Sequence, residues 1–141
     1  MRLAPLALLL AVLLGGCQRA PGELRIADAW IRASAVADGP MAGYLRLDNG
    51  LAEAVRCDGA SSADFGAIEI HRSALENGMS RMLRDQVVEA PAGGEALLQP
   101  GSYHLMLFRP QRPLKAGDRA TITLHCGAHR PGAEFTVRAP S

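Results

Sequence analysis

Four side chains in this sequence are of types that bind soft metal ions, and their spacing is regular. They are His71, Met82, His104 and Met106, in the pattern H-x10-M-x21-H-x-M. Thioether sulfur is a soft donor that suits copper(I), and imidazole suits several metals, copper among them. A shell of two imidazoles and two thioethers carries no ligand charge when the histidines are neutral. Such a shell should lose its ion mainly as the histidines protonate, near their ordinary pKa of about 6.5. Zinc ordinarily takes Cys, His or carboxylate ligands, and a blue-copper centre would need a cysteine beside the histidines. Met79 is a rival to Met82 for the same role. His125, Cys126 and His129 form a second cluster, which reads as a strand end and its turn.

Two strands must present these groups. Side chains alternate between the faces of a strand. In Ser102 to Phe108, Tyr103, Leu105 and Leu107 make one apolar face and His104 and Met106 share the other. In the stretch from Ala67 to His71, Ile68 and Ile70 supply the core face, opposite Glu69 and His71. The core is filled without either histidine, so the site is expected at the surface and open to solvent. The segment from Met79 to Val88 has no clean period and reads as extended or irregular, so the place of Met82 rests on spacing alone.

The remaining text is strands and turns. Leu24 and Ile26 share a face, and so do Leu45 and Leu47. Asp38-Gly39-Pro40, Asn49-Gly50, Asp58-Gly59, Asn77-Gly78 and Pro100-Gly101 punctuate the chain, and Ser61 to Asp64 reads as a loop. Further strands are expected at Ala52 to Cys57, Ala96 to Leu98, Ala120 to Cys126 and Ala133 to Arg138. Short strands with turns every eight to twelve residues or so argue for an all-β sandwich or barrel. The chain has 141 residues, enough for one domain.

The first 16 residues have an early Arg2 and an apolar run from Leu6 to Leu14, the pattern of a signal peptide. The run ends Leu-Gly-Gly-Cys, which resembles a bacterial lipobox and implies cleavage before Cys17 and lipid on that residue. Gln18 favours the outer membrane. The expected layout is a signal peptide over 1–16, a lipid-anchored tether over 17–22 and a β-sandwich over 23–141. The protein would face the periplasm from the cell envelope, or be soluble in the periplasm if Cys17 carries no lipid. Without Arg2, basic and acidic residues balance at 14 each, which offers no electrostatic case for nucleic acid. Export also places Cys57 and Cys126 in an oxidising compartment. A structural disulfide between them is preferred over two separate buried thiols or a redox or copper-binding pair.

The metal-ligand pattern, the phrases DAWIRAS, GYLRLDN and PGSYHLML, and the later PLKAGD resemble the periplasmic copper chaperones of the PCuAC family, from about Arg25 to Val137. The resemblance implies a cupredoxin-like, immunoglobulin-like Greek-key β-sandwich with copper(I) on His71, Met82, His104 and Met106. It also implies delivery of copper toward the dinuclear copper subunit of cytochrome c oxidase, often beside a Sco-type thiol protein. Two departures stand out. Relatives often carry an acidic residue after the first histidine, where this chain has Arg72, which puts a supporting carboxylate there in doubt. The chain ends FTVRAPS, without the His/Met-rich tail of some relatives, so one site is expected.

A metallochaperone, and not an enzyme, is therefore the expectation. Its rivals are an envelope copper-storage or detoxification protein, a small redox protein using copper or Cys57 and Cys126, and a metal-free lipoprotein interaction module.

Overall fold

A computed structural model describes residues 22–140. The expected signal peptide and the lipidation residue Cys17 lie outside the described residues. Eleven strands follow one another: β1 (Leu24–Arg32), β2 (Met41–Asn49), β3 (Val55–Cys57), β4 (Gly59–Ser61), β5 (Phe65–Glu76), β6 (Met79–Leu83), β7 (Val88–Ala90), β8 (Glu95–Leu98), β9 (Tyr103–Pro110), β10 (Arg119–His125) and β11 (Gly132–Arg138). Nine belong to one hydrogen-bonded sheet in the order β4-β10-β11-β1-β2-β9-β5-β6, with β8 also on β2; β3 and β7 pair separately.

β2 is the hinge of this arrangement. Its first residues pair with β9 (Met41 with Leu107, Gly43 with Leu105), and its later ones pair with β8 (Leu45 with Leu98, Leu47 with Ala96). The sheet's two halves bury their apolar faces in a single core. Ile122, Phe135 and Val137 from one half join Ile70, Leu105 and Leu107 from the other, and none of the six is more than 2% exposed. Each such side chain contributes roughly 1.5–3 kcal/mol by leaving water. Asn49, at the end of β2, is fully buried: its amide donates to the carbonyls of Glu53, Ala90 and Pro91, and its oxygen accepts from the Leu51 N–H. It ties the β2 end to the β7 end, so it is more than the turn residue its sequence neighbour Gly50 suggests.

Three sequence expectations change in detail. Ser61 closes β4, and the loop starts one residue later. β5 runs past Arg72 to Glu76, because β6 folds back on it through Asn77-Gly78. Both turn residues have positive φ (51° and 77°), as a two-residue hairpin turn requires. The stretch from Met79 to Val88 resolves into β6 and the start of β7. Cys57 and Cys126 form a disulfide across 69 residues, fastening the β3–β7 ribbon to the end of β10.

β1 contains a one-residue bulge. Ala27 lies opposite Arg46, but Trp30 lies opposite Tyr44, and Asp28 between them has φ 53°. A bulge re-aims the side chains beyond it. Here it keeps both Ile26 and Ile31 in the core and turns Trp30 and Arg32 onto the outer face, beside Tyr44.

Candidate metal centre

Residues directly opposite in an antiparallel ladder share a face. His71 lies opposite His104, Glu69 opposite Met106 and Ser73 opposite Met82. His71, Met82, His104 and Met106 are thus gathered on one face of three adjacent strands, β6-β5-β9. Met79 lies opposite Glu76, an odd number of residues from His71, so it points from the other face. The rival ligand is thereby separated from the two histidines. A cleft of about 260 Å³ opens over this face, lined by Met82, His104, Met106, Arg32 and Tyr44 among others. His71 is not in its lining. It sits beside His104, the two rings 5.8 Å apart and inclined at 72°. Two imidazoles sharing one ion stand roughly that far apart, since each nitrogen lies about 2.0 Å from the metal.

The structure corrects the expectation of an open site. His71 and His104 are each only 4% exposed, while Met82 is 52% exposed. Tyr44 and Phe108 pack near the rings, at 6.4 Å from His104 and 6.1 Å from His71. His104 lines the cleft with His71 buried beside it, and the Met82 thioether forms the accessible lip.

Hydrogen bonds set the protons on both rings. A carbonyl can only accept, so His104 Nδ1 donates to the Ser102 carbonyl at 3.1 Å, which leaves Nε2 with a free lone pair when the ring is neutral. His71 Nε2 lies 2.7 Å from the Glu69 carboxylate, which likewise can only accept when ionised. That leaves His71 Nδ1 as the lone-pair nitrogen, and among the described residues it is buried without a hydrogen-bond partner. A buried polar atom without a partner is costly, and a metal ion would satisfy it. Orientation of a ligating histidine by a carboxylate or carbonyl on its second nitrogen is usual in metal sites.

Glu69 is the residue that sequence reasoning missed. A carboxylate was sought after His71, where Arg72 stands, but on a strand the same-face neighbour is two residues away. The E-x-H spacing was the available signal. Hydrogen bonds from His71 and then Arg84 hold the Glu69 carboxyl below the ordinary carboxylate range. Burial, chiefly, pushes the His104 pKa down, helped by the charges of His71 and Arg32 and opposed by the bond to Ser102. His125 bonds to Ser61 and sits at the opposite edge of the sheet; His129 closes a turn with Cys126. Among the described residues no three His, Cys, Asp or Glu side chains converge as a metal site.

Fold and face together define a class: an all-β domain of cupredoxin-like architecture, with two buried imidazoles side by side and two thioethers on the same face, three of the four lining one cleft. Residues 24–140 match the family described as "Putative lipoprotein LpqE-like", and the chain belongs to that family. It is 28% identical over 119 residues to "Putative lipoprotein Lxx21020" of Leifsonia xyli, spanning 81% of this chain and 70% of the relative. It is also 28% identical over 108 residues to an uncharacterized protein, RP573, of Rickettsia prowazekii, covering 74% of this chain and 60% of that one. Among solved structures it resembles the copper-bound PCuAC domain from PmoF2, with TM-score 0.69 and 24% identity over 86% of this chain and 97% of that one. It resembles apo-DR1885 from Deinococcus radiodurans with TM-score 0.57 and 25% identity, over 98% and 95% of the two chains.

Proposed function

We propose that this protein binds one copper(I) ion on His71 Nδ1, His104 Nε2 and the sulfurs of Met82 and Met106, and that it carries this ion as cargo. The observation that carries the reading is the pair of fixed tautomers: each buried ring is held by its second nitrogen, so both lone pairs are free on the face that bears the two thioethers. Neutral soft donors favour the monovalent, polarisable ion. They also work where thiols are oxidised, as Cys57 and Cys126 are here. The half-exposed Met82 gives an acceptor a ligand to displace.

Non-catalytic transport in the cell envelope fits these features. The lipobox-like Leu-Gly-Gly-Cys17, together with the lipoprotein names of the family and one relative, supports a lipid-anchored location. Delivery toward the dinuclear copper subunit of cytochrome c oxidase, beside a Sco-type thiol protein, is the destination that the PCuAC resemblance implies. Titration of the reduced-copper protein under ascorbate, with zinc as control, tests the binding. One copper(I) per chain is expected in the wild type, with loss of that binding in the His71→Ala/His104→Ala double variant. Unchanged stoichiometry and affinity in the double variant would overturn the assignment.

A further inference from the structure

Building on the copper(I) reading, we infer that Arg32 is a charge filter for this site: its guanidinium discriminates against divalent ions and so helps to determine which metal the cleft takes. Arg32 is placed for this by the bulge in β1. Without the extra residue between Ala27 and Trp30, Arg32 would follow the parity of Ile26 and face the core. With it, Arg32 lines the same cleft as Met82, His104 and Met106. Its guanidinium lies over the Tyr44 ring at 5.5 Å, and that ring lies 6.4 Å from His104, which bounds the separation of guanidinium and imidazole at roughly 12 Å.

Among the described residues Arg32 makes no ion pair, whereas the one carboxylate beside the histidines, Glu69, is matched by Arg84. The next cation along the face, Arg138, lies over Trp30 at 4.4 Å, and Trp30 lies 4.6 Å from Tyr44, so it adds to the same sign. None of the four proposed ligands carries negative charge. Among the described residues the charges around the cleft are therefore net positive, and Coulomb repulsion is proportional to the ion's charge. The cost to a dication is twice that to a monocation in free energy, which is a square in affinity.

At about 12 Å and an effective dielectric of about 40, one unit charge changes monocation affinity about 3-fold and dication affinity about 10-fold. The experiment compares wild type with Arg32→Gln, Arg32→Met and Arg32→Lys, titrating silver(I) as a redox-inert monocation and zinc as the dication at low ionic strength. Thermal melts of all four proteins confirm folding. The expected result is a gain of about 3-fold for silver(I) and about 10-fold for zinc in both neutral variants. Lysine should restore the wild-type ratio, and the gains should shrink in high salt. Equal changes for both ions, loss of binding in the neutral variants, or a lysine variant that behaves like glutamine would overturn the filter. Absence of silver(I) and copper(I) binding in the wild type would instead overturn the site itself, so the two failures are distinguishable.

Discussion

Glu69 offers the sharpest check on how the site is built. Its carboxylate holds His71 Nε2–H at 2.7 Å and is itself held by two contacts from Arg84 Nη2 at 3.0 and 3.1 Å. Replacing it by alanine removes the group that orients the ring and, in the neutral imidazole, places the proton on Nε2. Loss of such a partner typically costs 10–100-fold in metal affinity. The low end applies here, because the Glu69 side chain is 29% exposed and water can enter in its place. Glu69→Ala should therefore bind copper(I) about 10-fold more weakly, measured by competition against a chromophoric copper(I) chelator at neutral pH. Arg84→Ala should weaken binding less, since it acts only through Glu69, and should add little in the Glu69→Ala background. Nitrogen-15 NMR of the metal-free protein reads the same idea without copper: His71 should carry its proton on Nε2 and His104 on Nδ1. A wild-type affinity in Glu69→Ala, or a His71 proton on Nδ1 in the wild type, would refute the reasoning.

Because Met79 and Met82 project from opposite faces of β6, Met82→Leu should lose about 10-fold in copper(I) affinity, on the order of 1.4 kcal/mol, while Met79→Leu stays at the wild-type value in the same competition assay. The Cys57–Cys126 bridge closes 69 residues, so Cys57→Ser/Cys126→Ser should lower the stability read from urea melts by about 4 kcal/mol. The metal-free protein should also lose stability as pH falls. The folded-state pKa of His104 is depressed, so the unfolded chain binds more protons in the window below about 6.5 and is favoured there. A pH series of thermal melts should show this fall, flattened in His104→Phe.

Much of the arrangement of the proposed site was legible before any coordinates. The alternation in β9 put His104 and Met106 on one face, and the Ile68/Ile70 alternation put His71 on the matching face of β5, as the ladder between them bears out. Met82 was not legible, because a hairpin arm exposed on both faces has no buried side to impose alternation: Met79, Ser80, Arg81 and Met82 are all exposed. The burial of the histidines was also hidden. Apolar counting locates one core, but here aromatic side chains cover the outer face as well, including Tyr44 at 3% exposure. The bulge that turns Trp30 and Arg32 outward leaves little trace in composition. Its only local mark is an aspartate able to adopt positive φ.

The hairpin turn at Asn77-Gly78 is, in effect, a ruler for the proposed ligand set. It holds β6 against β5 so that Met82 stands opposite Ser73. Sliding that arm by a single position would exchange every side chain between its two faces. Met82 would then leave the cleft, and a leucine or an arginine would stand where its sulfur had been. Two residues outside the proposed ligands thus decide which side chains that face presents, and a one-residue insertion at the tip would change the proposed donor set as surely as a mutation within it.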